Sequence, residues 1–309
     1  MPIQIIGDTN VDFLGKRKIA FLISGILTAL GLFAVVMLSF GKGNLGIQFI
    51  GGTMLEGYFE QPIETSAIRS ALADAGFTDA EIQQLQGRTQ PNSFLVRVKA
   101  DPAIAKEAGQ TVLAAIRKAF PGNKFTMDSI HEVGPAVGQT LQSQARWAVL
   151  VSLLGILVYI TLRFDFRFGV AATIATFHDI LAVLGILYLM NVEITILVIT
   201  ALLTLAGYSL TDTVIVYDRI RENLKKYHKK SDFVPAINRS INEVLSRTIL
   251  TSSTVLAVVI ALYVAGGPVL RDFAMCLIFG VIVGTYSSWL VASPIYVEWE
   301  TRSPKRFKA

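Results

Sequence analysis

The sequence has a single cysteine, Cys276, and three histidines among its 309 residues. One thiol cannot close an intrachain disulfide or build a cysteine-based metal site. Cys276 lies in an apolar stretch and reads as a small packing residue. No Ser-His-Asp set, metal-ligand cluster or phosphate-cradling glycine loop stands out. The chain therefore reads as a non-enzyme without cofactor or metal.

Charge is also missing, in long runs. Asp, Glu, Lys and Arg are absent from Ile19 to Gly41, Trp147 to Leu162, Ile194 to Thr211, Thr248 to Val269 and Phe273 to Val297. A helix crossing a bilayer core of roughly 30 Å needs about 20 residues. Four of the runs come near that length, and 147–162 can extend at its ends. A sixth apolar stretch, Phe168 to Met190, is interrupted only by His178 and Asp179. The apolar share is 52 % and the mean hydropathy +0.54, too high for a soluble protein of ordinary charge. Six transmembrane helices are expected. Lys16, Arg17 and Lys18 before the first run resemble a signal peptide. That run is longer than a signal-peptide core and ends in Gly41-Lys42-Gly43-Asn44 without a small-x-small site, so an uncleaved span is expected.

The charge that is present sets a direction. Lys16 to Lys18, Arg163 and Arg167, the group Arg219, Arg221, Lys225, Lys226, Lys229, Lys230 and Arg239, and the tail Arg302, Lys305, Arg306 and Lys308 fall on one side of six spans. The opposite short loops hold only Arg271. Positive loops stay cytoplasmic, so both termini are expected in the cytoplasm and 42–146 outside. This asymmetry accounts for the net charge of +5 without a nucleic-acid partner. The organisation read is 1–41, cytoplasmic tail and first span; 42–146, periplasmic or external domain; 147–300, spans two to six; 301–309, cytoplasmic tail.

Within 42–146, strand patterns at Thr53–Glu60, Glu81–Leu85, Ser93–Lys99 and Lys124–Val133 alternate with helical patterns at Glu64–Ala75 and Pro102–Phe120. Phe94, Val96 and Val98 line one strand face. Gly51-Gly52 marks a bulge or tight approach. The order β-α-β-β-α-β predicts a ferredoxin-like α+β domain. His131, near its exit, reads as structural.

Ionisable groups inside a span are costly and face a partner or a water path. His178 and Asp179 lie mid-span in the third helix, where a structural hydrogen bond and a proton-path role are both open. Asp212 lies in the fourth span, about two turns before Arg219. Arg247 begins the fifth and falls at similar depth, either as a partner of Asp212 or as a snorkelling anchor. Tyr208 and Ser209 stand near Asp212, while Thr251 and Thr254 continue the face of Arg247. A carboxylate poised between desolvation and an opposite charge can bind and release a proton. Gly280 and Gly284 form a helix-packing face in the sixth span.

Four segments carry a resemblance over nearly the whole chain: Gly46-Ile47-Gln48-Phe49-Ile50-Gly51-Gly52-Thr53; His178-Asp179; the run from Gly207-Tyr208-Ser209-Leu210-Thr211-Asp212 to Arg221-Glu222-Asn223; and Asn238-Arg239-Ser240-Ile241-Asn242 leading to Ser246-Arg247-Thr248. They resemble the SecF members of the SecD/SecF family, accessory subunits of bacterial protein export within the resistance-nodulation-division superfamily. The family usually has Asp where this chain has Gln48. The resemblance implies a SecD partner forming a twelve-helix pseudo-symmetric pair, association with the SecYEG channel, often with YajC and YidC, and an unfolded preprotein as cargo. It implies a bacterial inner-membrane location, surrounded by membrane lipid, and use of the proton gradient without nucleotide. It also implies that Asp212 and Arg247 are the proton-path pair. One six-span set without internal duplication itself asks for a second half. Two other readings stay open: half of a small-molecule or lipid exporter, and a passive assembly subunit.

The charge asymmetry predicts that single cysteines at Lys225 and Lys308 label only from the cytoplasm, and one at Gln90 only from outside, in a Cys276→Ser background. Labelling at 225 but not at 90 from outside would overturn the topology.

Overall fold

Six helices are long and apolar enough to cross a membrane. The computed structural model describes residues 9–78, 80–85, 90, 92–99, 108–226 and 232–304. The first turns expected from Pro102 onward, and Lys229, Lys230, Lys305, Arg306 and Lys308, lie outside the described residues. The chain is a multi-pass membrane protein. Its spans are α1 (Arg17–Ser39), α5 (Pro135–Arg163), α6 (Phe166–Leu189), α7 (Ile196–Lys226), α8 (Phe233–Ala265) and a composite sixth. That last span joins α9 (Gly267–Ser287), a π-helical turn (Ser288–Ala292) and α10 (Ser293–Arg302).

Several helices outrun the charge-free segments. α7 continues through Arg219 to Lys226, and α8 starts well before Arg247. A charge ends residence in hydrocarbon, not helicity, because arginine, lysine and glutamate are good helix formers. α5 begins at Pro135, with Gly134 in an extended conformation before it. Proline at the first helical position forfeits no hydrogen bond.

Between α1 and α5 lie α2 (Ile47–Ile50), β1 (Gly52–Phe59), α3 (Thr65–Asp74), β2 (Glu81–Leu85), β3 (Ser93–Lys99), α4 (Ala108–Ala119) and β4 (Phe125–Val133). The four strands form an antiparallel sheet in the order β2-β3-β1-β4. This is the expected β-α-β-β-α-β plait. Leu55 and Phe59 of β1, Phe94, Val96 and Val98 of β3, and Phe125 of β4 pack with Ile68, Leu72, Val112 and Ile116 from the two helices. Each such side chain withdrawn from water stabilises the domain by roughly 1.5–3 kcal/mol. The bulge falls at Glu56/Gly57, not at Gly51-Gly52. Those two glycines instead take positive φ values of 80° and 151°, turning α2 into β1 where a side chain would be strained.

In the bundle, α6 is the most enclosed span and α5 the least. α6 packs against α1, α5, α7 and α9. Its contact with α1 is close because Gly185 meets Gly31, whose missing Cβ would collide with the Leu181 backbone. Lipid is as apolar as leucine, so close van der Waals packing over small residues replaces the hydrophobic drive.

The sheet domain is anchored to the end of the bundle where α6 turns into α7. Gly46 N–H donates to the Ile194 carbonyl at 2.9 Å, and Ile194 N–H to the Asn44 carbonyl at 2.7 Å. Gln142 of α5 donates to the Phe49 carbonyl at 2.8 Å. Arg97 alternates with the core residues of β3, so it lies on the sheet face away from α3 and α4. Its Nη1 comes within 2.7 Å of Glu193 Oε2 in that turn, and Glu81 stands at 3.9 Å. Glu193 is 6 % exposed. Its Oε2 takes no hydrogen bond of good geometry, so the pair is a charge contact rather than a directed bond. Gln48 and Glu193 both flank Gly46. An amide there adds no second negative charge next to Glu193.

Burial holds the Glu193 carboxyl above its ordinary value of 4.5, with Arg97 opposing and Glu81 and Asp272 reinforcing the rise. Were the sheet domain to lift away, Glu193 would return to water and its ordinary value. The docked form thus binds the proton more tightly. By linkage, docking is strongest at low pH and weakens as pH rises through the raised value. Spin labels at Asp128 and Met190, in a Cys276→Ser background, should report a narrow distance distribution in acid that broadens with rising pH. Glu193→Gln should broaden less, Asp272 being the titratable carboxyl that remains beside Arg97. A wild-type distribution indifferent to pH would contradict this.

Candidate functional site

α7 packs against α6, α8 and α9, and its polar residues divide among them. Tyr208 and Asp212 are one turn apart and share a face toward α8. Ser209 is turned by about 100° from Tyr208 and looks at α6 instead. Two acidic clusters result, on adjacent faces of one helix.

The first surrounds Asp212, which is 3 % exposed. Its Oδ2 accepts from the Ser252 hydroxyl of α8 at 3.4 Å, longer than an ordinary O–H···O bond. Ser252 Oγ in turn accepts from the Tyr208 hydroxyl at 2.9 Å and from the Thr285 hydroxyl of α9 at 2.7 Å. Among the described residues, Asp212 has no other hydrogen bond and no ion pair.

The second surrounds Asp179, which is fully buried. Its Oδ2 accepts from Ser209 of α7 and from Ser287 of α9, the latter at 2.7 Å. His178 Nδ1 lies 2.8 Å from Oδ1. The other ring nitrogen lies 3.3 Å from the Tyr286 hydroxyl. This carboxylate thus ties α6, α7 and α9 together.

Three consecutive residues of α9 serve both clusters. Thr285 turns to α8, while Tyr286 and Ser287 turn to α6. The glycines Gly280 and Gly284 bring α9 down onto α7. A Cβ on Gly280 would stand 2.9 Å from a Leu205 methyl, and one on Gly284 3.0 Å from the Ser209 Cβ. The π-helical turn follows at once, a feature that re-registers a helix, often near functional residues.

Arg247 is not part of either cluster. It lies five residues before Ser252 on α8, which rotates it by about 140° from the face toward α7. It is exposed on the outward side of the bundle. Among the described residues no ion pair joins it to Asp212. Thr251 shares that outward side, its hydroxyl directed to the Arg247 and Thr248 carbonyls. Of the residues expected around Asp212, Tyr208 is there through Ser252, whereas Ser209 belongs to Asp179. Ser252, Thr285, Tyr286 and Ser287 were not anticipated. Their signal was a set of hydroxyls, Thr251 to Thr254 and Thr285 to Ser288, inside otherwise apolar spans.

The Asn238–Asn242 segment has a separate task. Asn242 and Asn238 accept from the backbone N–H groups of Val11 and Phe13 at 2.8 and 2.9 Å, and both return a bond to the Val11 carbonyl. The segment before α1 is thereby strapped to the start of α8. Asn223 of α7 reaches Glu243 at 2.7 Å, which also pairs with Arg219.

Two buried acid clusters inside a six-helix bundle, with one plait domain between the first and second spans, define a multi-pass membrane protein with a single extramembrane sheet domain. A family model described as protein export membrane protein SecD/SecF, C-terminal, matches residues 112–302. The protein translocase subunit SecF of Thermodesulfovibrio yellowstonii is 47 % identical over 95 % of this chain and 96 % of its own. That of Calditerrivibrio nitroreducens is 40 % identical over 93 % of each. The crystal structure of SecDF, a translocon-associated membrane protein from Thermus thermophilus, superposes with a TM-score of 0.81 at 37 % identity. It covers 98 % of this chain, which spans 40 % of that one. The chain belongs to the SecD/SecF family, with the SecF translocase subunits, and its role is transport.

Proposed function

We propose that this protein pairs with a SecD-type half and uses the proton gradient to assist SecYEG-dependent export of unfolded preproteins. Its place is the bacterial inner membrane, with both termini in the cytoplasm and the sheet domain outside. YajC and YidC are further candidates for the assembly. One observation carries the reading. Asp212 sits buried within its span and, among the described residues, holds only one long hydrogen bond, so little fixes it in a single protonation state. Asp179, with both carboxylate oxygens engaged, reads as a fixed pin, and His178 orients it.

Arg247 acts in this reading from the outward face of α8, where the second half packs. Sites at the junction of two halves are the rule in repeat-built transporters. A proton bound to Asp212 removes a charge from a poorly polarisable surrounding. A differential of about 5.5 kcal/mol is enough to reverse a two-state equilibrium almost completely. The spans on either side of the sheet domain transmit the resulting shift to it, and a preprotein held there moves outward.

Asp212→Asn keeps the shape and removes the titration. In membrane vesicles it should lose the gradient-stimulated part of export while remaining inserted and bound to its partner. Full stimulation in this variant would leave only the passive-subunit reading.

A further inference from the structure

We propose that the hydroxyls of Ser252 and Thr285 govern the proton on Asp212: Ser252 is the group that faces the carboxylate, and Thr285 is a rotor that decides whether Ser252 can only donate or can also accept. The proposal rests on the reading of Asp212 as the titrating acid, and it brings in two residues outside the Asp212–Arg247 pair.

A serine hydroxyl has one O–H and two acceptor lone pairs. Both acceptor positions of Ser252 are in use, by Tyr208 at 2.9 Å and Thr285 at 2.7 Å. Its single proton is left for Asp212, 3.4 Å away. So arranged, Ser252 supports the charged carboxylate and has no lone pair for the O–H of a neutral acid. When Asp212 takes up a proton, that O–H needs an acceptor in a site without bulk water. Ser252 becomes one only if a donor withdraws.

Thr285 has somewhere to go. Its Oγ1 lies 2.7 Å from the Val281 carbonyl, one turn back on α9, as well as 2.7 Å from Ser252. One hydroxyl proton cannot serve both. Thr285 therefore donates to Ser252 while Asp212 is charged, and to Val281 when Asp212 is neutral and donating. Ser252 then turns its own proton toward the freed Thr285 oxygen, and the short chain reverses its polarity. Thr285 is a positioning residue, acting on Asp212 only through Ser252. It sits on the helix whose next two residues hold His178 and Asp179, so the reversal falls on the element shared by both clusters.

The test is an infrared pH titration of the full chain with its partner in lipid, following the carboxylic-acid C=O band that Asp212→Asn removes. Ser252→Ala takes away the one donor to the carboxylate found among the described residues, and the band should persist to higher pH, as about tenfold tighter proton binding. Thr285→Val removes the oxygen that takes the Ser252 proton when the acid is neutral, so the neutral form loses more than the charged form and the band should vanish at lower pH. Thr285→Ser should behave as wild type, which a loss of packing alone would not produce. If the valine variant does not fold, Thr285→Ala removes the same oxygen and is expected to move the band the same way. Variants at 252 and 285 that leave the titration where it was, or move it opposite to these directions, overturn the proposal while the role of Asp212 stands. Absence of any band sensitive to Asp212→Asn overturns both.

Discussion

A carboxylate inside a helix bundle has no water to complete its hydrogen bonds, so each buried acid dictates the residues around it. Asp179 meets this constraint fully, drawing Ser209 from α7, Ser287 from α9 and His178 from its own helix. Those bonds fix how three helices sit against one another, and the glycine contacts of α9 on α7 follow from the same approach. Asp212 meets the constraint barely, through one long bond to Ser252. Asp179 of α6 and Asp212 of α7, which meet neighbouring faces of α7, differ in how fully the protein satisfies them, and the proposed function takes that difference as the mark of the titrating acid.

The pinned acid also sits where mechanical coupling is shortest. α6 carries Asp179 and packs against both α1 and α5, the two spans that enter and leave the sheet domain. At the Gly31–Gly185 crossing the backbones of α1 and α6 are in direct contact. At the far end, the turn after α6 presents Glu193 to Arg97 and pairs its backbone with the linker before β1. The sheet domain therefore rests on the end of the helix whose middle holds the buried carboxylate.

Much of this was legible in the sequence. Five charge-free runs and one apolar stretch broken only by His178 and Asp179 located the six spans, and period-two alternation placed β3 at its observed bounds. Those signals are local, because hydrocarbon thickness and strand pleating act on contiguous residues. The site was legible only in part. Depth along a span follows from counting residues, but the count is coarse: Asp212 meets α8 at Ser252, five residues beyond Arg247 and about 7.5 Å further along the helix. The rotation of α8 about its own axis depends on packing against α7 and α9, so Ser252, and not Arg247, came to face the acid. Thr285 and Ser287 were hidden because hydroxyl residues are common in spans as backbone-bonded groups. Only the fold shows which of them cross between helices.

The most direct measurement is site-resolved carbon-13 NMR of the aspartate side-chain carboxyls, recorded against pH on the lipid-reconstituted complex. Asp179→Asn and Asp212→Asn would assign the two signals. The account predicts that the Asp212 signal moves as pH changes. An Asp212 signal that stays where it is across the range would contradict it.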